Sequence, residues 1–263
     1  MTYILDILKG VRRALKDGCF ALAHSRRFQS SCVLSGDIFA AYAAREFLAV
    51  DSACFLQVGA HNGAGAHDIG SIIRKLGVRS ILLEPQPDAY AALRASYRGI
   101  RNVECVNAAL AHEGGEISLY RIRSSMDQYH AGRASGKAFA TSIASMDRLH
   151  PVRFFRQNCS ERGALLSDDE IVEEVSVQAM TLPRLLQTHD VDDVTVLSID
   201  TEGFDMDIIR MIEKSALRPR VIRYEHKHLG GKRQCRASWS LVMRMGYDVI
   251  LDRRTGDTIC VLQ

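Results

Sequence analysis

The feature that most restricts this chain is an alternation. Short apolar runs of strand length occur at residues 53–58, 80–83, 102–106, 194–199 and 220–224. Stretches with helical spacing lie beside them, at 64–76, 88–97, 182–189, 204–214 and 237–245. Apolar strands separated by helices belong to parallel sheets covered on both faces, because each parallel connection has to cross the sheet. Right-handed crossovers leave few ways to wind such a chain. The C-terminal end breaks the rhythm. Two strand-like runs, 246–251 and 258–262, are joined by Asp252-Arg253-Arg254-Thr255-Gly256-Asp257. A link that short permits only a hairpin, so the expected α/β sheet is mostly parallel, ends antiparallel and carries helices on both faces.

Two segments stand apart. Residues 1–50, with helical spacing at 3–15 and 37–49, form a helical leader to a main domain at 51–263. Residues 121–174 contain Gly132, Gly136, Gly163, many serines and both charge signs, with no strong period. So long a segment between core strands is functional or disordered. Composition narrows the rest. With 47% hydrophobic and 25% charged residues, the chain is neither disordered, collagen-like nor a coiled coil. Thirty-four basic against 31 acidic residues give a net charge of +3, too weak for a dedicated nucleic-acid binder.

No apolar run approaches the roughly 18 residues of a membrane span; the longest, 38–50, is broken by Arg45 and Glu46. The N-terminus carries Asp6 within its apolar part and basic residues after it, the reverse of a signal peptide. A cytoplasmic protein is expected. The 7 cysteines are scattered without a C-x-x-C pair, which supports neither a disulfide framework nor a zinc site. Cys54, Cys105 and Cys260 fall in apolar runs and read as buried, inert thiols.

The chemistry begins at the first strand. FLQVGAHNGAG sets Gly59, Gly63 and Gly65 between strand and helix. Glycine lets the backbone turn sharply and approach a ligand, and the helix that follows offers free N–H groups. The same pattern also fits a plain strand-to-helix turn. Its G-x-x-x-G spacing differs from the G-x-G-x-x-G of dinucleotide binders, which argues against a pyrophosphate cradle. In ILLEPQP, Glu84 ends the second strand, where a carboxylate accepts both hydroxyls of a ribose. A solvated strand end is the alternative; the proline that follows favours a positioned acid. After the third strand, Asn107 and Ala108 leave room for a flat ring.

LSIDTEGFD brings Asp200 and Glu202 to the carboxyl edge above the same crevice. Asp205 and Asp207 fall in the first turn of the next helix and read as caps. RYEHKHLGG delivers Glu225, His226 and His228 to the neighbouring edge, as structural residues or as acid/base or metal groups.

Taken together, FLQVGAHNG, LLEPQPDAY, VNAAL, LSIDTEGFD, RYEHKHL and the terminal GYDVI–DTICV resemble the FkbM family of S-adenosylmethionine-dependent methyltransferases, over about residues 53–262. I-D-x-E-G is the most specific element. The resemblance implies a Rossmann-like seven-stranded methyltransferase sheet with an antiparallel last strand, and O-methylation of sugar, glycan or natural-product hydroxyls. It places Gly59, His61, Asn62 and Gly63 at the methionine part of the cofactor, Glu84 at its ribose, and Asn107 and Ala108 near its adenine. Many family members carry aspartate at the position of Gln57; some carry glutamine with a later aspartate, here Asp68. Residues 121–174 become a variable, flexible insert on the acceptor side.

A hydroxyl acceptor must lose its proton, and Asp200, Glu202 and His226 are the candidate bases. Mg²⁺ shared by Asp200 and Glu225 is the alternative route. Seven basic residues, Arg218, Arg220, Arg223, Lys227, Lys232, Arg233 and Arg236, face a single acid, Glu225, within 218–236. They read either as solvated surface or as a place for an anionic acceptor. Two competing functions are a nicotinamide-dependent oxidoreductase, disfavoured by the missing third glycine and the terminal hairpin, and a non-catalytic cofactor-binding relative, disfavoured by acids at three strand ends.

Overall fold

The computed structural model describes residues 37–63, 69–130 and 143–263. In chain order the elements are α1 (Ile38–Ala49), β1 (Cys54–Val58), α2 (Ile69–Leu76), β2 (Arg79–Leu83), α3 (Pro87–Ser96), β3 (Val103–Val106), β4 (Ala109–Leu110), β5 (Gly115–Ile122), β6 (Ala144–Ser145), α4 (Leu149–Asn158), α5 (Asp168–Ile171), β7 (Val172–Met180), α6 (Leu182–Thr188), β8 (Val196–Ile199), α7 (Asp205–Lys214), β9 (Val221–Glu225), α8 (Lys232–Arg244), β10 (Tyr247–Asp252) and β11 (Asp257–Leu262). The sequence readings at residues 3–15, Gly65, Asp68, Gly132 and Gly136 lie outside the described residues.

Seven strands form one sheet in the order β10-β11-β9-β8-β1-β2-β3. β1, β2, β3, β8 and β9 pair in parallel. β11 enters antiparallel between β9 and β10. The expected mostly parallel sheet with an antiparallel C-terminal hairpin is therefore present. The parallel strands read as apolar runs because helices bury both of their faces. On one face, Leu56, Leu197, Ile199, Ile222 and Tyr224 pack with Leu185, Ile208, Ile212, Leu241 and Val242. On the other, Phe55, Val196 and Val221 pack with Phe39, Ala43, Phe47, Ile72, Ile73 and Leu93.

Helix α1 starts where the Asp37 carboxylate accepts the Ala40 N–H at 3.0 Å, an N-cap. Its apolar face meets the sheet through Phe47, whose ring stands edge-on to Phe55. The described cysteines are free thiols; Cys54 and Cys260 are buried as expected, whereas Cys105, on the edge strand β3, is only half-buried.

A second sheet, β4-β7-β5-β6, departs from the sequence reading. β5 and β7 pair antiparallel from Gly115↔Ala179 to Ile122↔Val172. Within 121–174, read as lacking a period, lie a 3₁₀ turn at Ser124–Tyr129, β6, α4 and α5. Ile122, Met126, Val152, Phe155, Ile171 and Val172 give them a small core of their own. The expectation of irregularity failed because one face of this sheet is wet. Its outward positions carry Glu116, Ser118, Glu174 and Ser176, so no continuous apolar run marks it.

Candidate active site

The turn after β1 is shaped by two close approaches. Gly59 has φ +81°, and a Cβ there would sit 1.8 Å from the Asp200 carbonyl oxygen. Gly63 has φ +76°, and a Cβ would meet the Tyr97 ring at 2.7 Å. Side chains are thus barred on both steric and conformational grounds. The N–H groups of Gly59 and Ala60 donate to the Leu83 carbonyl at 3.0 and 2.8 Å, fastening the turn to the end of β2.

Glu84 leaves β2 buried. Its Oε2 accepts the His61 N–H at 2.8 Å and its Oε1 the Gln86 N–H at 2.9 Å. Burial pushes its pKa up, and these two backbone donors oppose the rise. Each carboxylate oxygen keeps a second acceptor direction. The Asn107 amide donates to the carbonyls of Glu84 and Pro85 at 2.8 and 3.0 Å, so it braces the exit from β2. Ala108 beside it is buried. Gly59, His61, Glu84 and Asn107 therefore converge. The Asn62 carbonyl instead accepts from Ser96 Oγ at the end of α3.

Gln57 lies one level lower. The register aligns Gln57 with Ser198 and Ser198 with Arg223, a polar row across the α1-side face of the sheet. A cavity of about 40 Å³ opens there, lined by Gln57, Tyr97, Ser198, Asp200 and Arg223 among others. It has room for water but not for a nucleoside.

At the end of β8 the chain turns through Glu202 at φ +52° and Gly203 at φ +115°. Asp200 pairs with Arg223 at 3.2 Å. Burial raises its pKa, with Arg223 pulling the other way and Glu202 adding to the rise. The expected cap Asp205 is fully buried and closes this turn instead, accepting from the Thr201 N–H at 3.4 Å and the Thr201 hydroxyl at 3.3 Å. Burial, then the Asp200 charge, push its pKa to about 7. Asp207 is held by Arg210 at 3.2 Å and lies 3.6 Å from His112.

The acid/base group that results was only half foreseen. His150 Nε2 lies 3.0 Å from Glu202 Oε2, and His228 Nε2 lies 3.6 Å from the same atom and 3.2 Å from Glu225 Oε2. The two imidazoles stand edge to face at 4.7 Å. His150 comes from the first turn of α4, within the segment expected to be irregular. Asp147 starts that turn by accepting the Leu149 N–H, and Ser145 Oγ anchors it to the Glu202 carbonyl at 2.8 Å. No strand-end signal pointed to it.

His226, the histidine expected as a base, turns the other way. Its Nδ1 meets Thr258 Oγ1 at 3.0 Å, and Trp239 Nε1 donates to that same oxygen. Burial lowers the pKa of His228 to about 4, with His150 adding to the fall. Glu225 is raised to about 8 by burial and the Asp200 charge, although Lys227 pairs with it.

The basic run at 218–236 disperses. Arg223 is buried between Asp200 and Asp257, at 3.2 and 3.1 Å. Arg218 donates to the carbonyls of Ser215 and Leu217, Arg220 pairs with Glu46, and Lys227 pairs with Glu225. Lys232, Arg233 and Arg236 stay exposed at the start of α8.

A sheet of this strand order, parallel through β1, β2, β8 and β9 with an antiparallel β11, has the Rossmann-like arrangement of methyltransferases. The Methyltransferase FkbM domain matches residues 57–249, and the chain belongs to that family. Membership makes it an S-adenosylmethionine-dependent methyltransferase. No curated relative matches it. Among solved structures it is similar to the O-methyltransferase from Bacillus cereus in complex with SAH, at 11% identity and a TM-score of 0.42, over 100% of this chain and 96% of that one. It is also similar to the SAH-bound Podospora anserina methyltransferase PaMTH1, at 10% identity and a TM-score of 0.40, over 96% of each chain. Likeness at this level says nothing about substrate. Among the described residues, no helix is long and apolar enough to cross a membrane.

Proposed function

We propose that the chain transfers a methyl group from S-adenosylmethionine to a hydroxyl oxygen of a sugar, glycan or natural-product acceptor. One observation carries the reading: Glu202 stands between His150 and His228 after the carboxyl end of β8, in the sheet whose β2 ends at Glu84. A hydroxyl has to give up a proton to become a methyl acceptor, and a carboxylate backed by imidazoles is suited to take it.

The residues fit the cofactor. Glu84 is fixed by two backbone N–H groups and still offers both oxygens to a ribose diol. The methionine part is assigned to the Gly59–Gly63 turn and the adenine to the neighbourhood of Asn107 and Ala108. S-adenosylmethionine supplies a sulfonium-activated methyl group when bound. The protein's part is to align the acceptor oxygen with it, which contributes up to about 7–11 kcal/mol in favourable cases, and to receive the proton at Glu202. Asp200, tied to Arg223, orients this edge. His226 braces Thr258 and Trp239 rather than facing the acceptor. An anionic acceptor group suits the exposed Lys232, Arg233 and Arg236.

Calorimetry with S-adenosylhomocysteine tests the cofactor half. Glu84→Gln removes a charged acceptor from two hydroxyls, a loss of about 1.5–3 kcal/mol or roughly ten- to hundred-fold in affinity. Unchanged affinity removes Glu84 from the site, and binding of NAD in its place overturns the class. Mass spectrometry of incubated sugar acceptors, read for the gain of one methyl on oxygen, tests the other half.

A further inference from the structure

The His150–Glu202–His228 group has a geometry that acid/base chemistry alone does not require. Its donor atoms lie at 3.0 and 3.6 Å around Glu202 Oε2, with Glu225 Oε2 a further 3.2 Å from His228 Nε2. Ligand atoms about 2.0–2.1 Å from one metal ion, in a tetrahedral or octahedral shell, are themselves about 2.8–3.4 Å apart. His150, Glu202 and His228 each offer one ligand atom, all within 4.8 Å of one another. A second, independent feature points into the same space. The Glu225 side chain is only 6% exposed, its Oε1 is taken by Lys227, and its Oε2 receives no hydrogen bond. A buried carboxylate oxygen left without a donor is costly, and a cation would satisfy it.

We propose that His150, Glu202 and His228, with Glu225 as a fourth ligand, form a binding site for a divalent first-row transition metal such as Zn²⁺. Two imidazoles with carboxylates select such an ion over Mg²⁺, which favours oxygen-only shells. The Mg²⁺ pair expected at Asp200 and Glu225 is an oxygen-only set, and it is disfavoured because Arg223 already holds Asp200 and Lys227 already holds Glu225. The ligands come from three separate places, α4, the turn after β8 and the end of β9, so an ion here would also clamp the second sheet onto the first. Three or four protein ligands leave a position for an acceptor oxygen. That use rests on the methyl-transfer reading; the site itself does not.

The test uses the full chain, stripped with a chelator and dialysed. Titration with Co²⁺, followed by its visible absorption, and with Zn²⁺, followed by calorimetry, is expected to show one saturable ion per chain. His150→Ala and His228→Ala are each expected to weaken binding by about a hundred-fold or more, while His189→Ala, a histidine paired with Glu104 at the end of α6, leaves it unchanged. Binding of S-adenosylhomocysteine in the same samples reports that the variants are folded. Absence of saturable metal binding overturns the proposal, as does binding that survives both histidine variants. If the chain binds metal but no S-adenosylhomocysteine, the site stands and the methyl-transfer reading falls. The opposite pattern removes only the metal.

Discussion

Among the described residues, Arg223 is the one cation in the interior of the sheet's polar row, and Arg223→Met measures what it holds. Its guanidinium reaches Asp200 at 3.2 Å, Ser198 Oγ at 3.4 Å and Asp257 at 3.1 Å. Asp257 is wholly buried, while the Asp200 side chain is about one-third exposed. Water can therefore replace arginine at Asp200 but not at Asp257, and most of the cost falls on Asp257. Breaking a buried pair by removing one partner costs about 3–5 kcal/mol, because the other charge is stranded. For a chain of this size each kcal/mol lowers Tm by about 2–4 °C, so a fall between about 6 and 20 °C is expected. Methionine fills similar space, which keeps a packing loss from mimicking the effect. Asp257→Asn in the Arg223→Met background removes the charge that has lost its counter-ion and should restore more than half of the loss, read as a double-mutant cycle by calorimetry at pH 7.5. A fall under 2 °C, or no recovery in the double variant, would refute the claim that Arg223 serves to neutralise Asp257.

Gly59→Ala should remove S-adenosylhomocysteine binding and sharply lower Tm, since the new Cβ meets the Asp200 carbonyl and the backbone stays at φ +81°; calorimetry showing wild-type affinity would contradict the close approach. Asp205, raised to about 7, makes folding stability depend on pH. The folded state holds a proton that the unfolded state has released above about pH 4, so stability falls as pH climbs from about 4 to 7, by up to about 1.4 kcal/mol per unit. Asp205→Asn, whose amide can still serve both Thr201 contacts, should flatten that slope. The advantage of the variant in denaturant melts is expected to grow from pH 5 to pH 8, and a constant difference would discount the burial of a charged Asp205.

What was legible in the sequence follows from which faces are dry. β1, β2, β8 and β9 are covered on both sides, so Phe55, Leu56, Ile81, Leu82, Leu197 and Ile222 stand in unbroken runs that announce them. β5 and β7 pair just as regularly, yet their outward faces carry charged and hydroxyl partners such as Arg121 with Glu173 and Ser118 with Glu174. A strand half in water is written as alternation, and in a glycine- and serine-rich stretch alternation is easily taken for a loop. Only the pairing across β5 and β7, between residues 50 to 64 apart in the chain, separates the two.

The site divides along the same line. Gly59, Glu84, Asp200 and Glu202 sit at the carboxyl ends of parallel strands, where topology alone brings residues together, so their placement is legible from their strands. The histidines were not so constrained. Along β9 the side chains alternate, sending Glu225 to the Asp200 side and His226 to the Thr258 side. Beyond Glu225 that rule lapses, because the chain leaves the strand through a turn closed by the Leu229 N–H on the His226 carbonyl. His228 is thereby returned to the Glu202 side. His150 arrives from an element whose existence depends on a second sheet, and its place depends on Ser145 gripping the Glu202 carbonyl. The candidate edge is thus assembled from one part that strand topology dictates and another that only tertiary docking supplies. In the methyl-transfer reading proposed above, it is the second part that sets the chemistry offered to an acceptor.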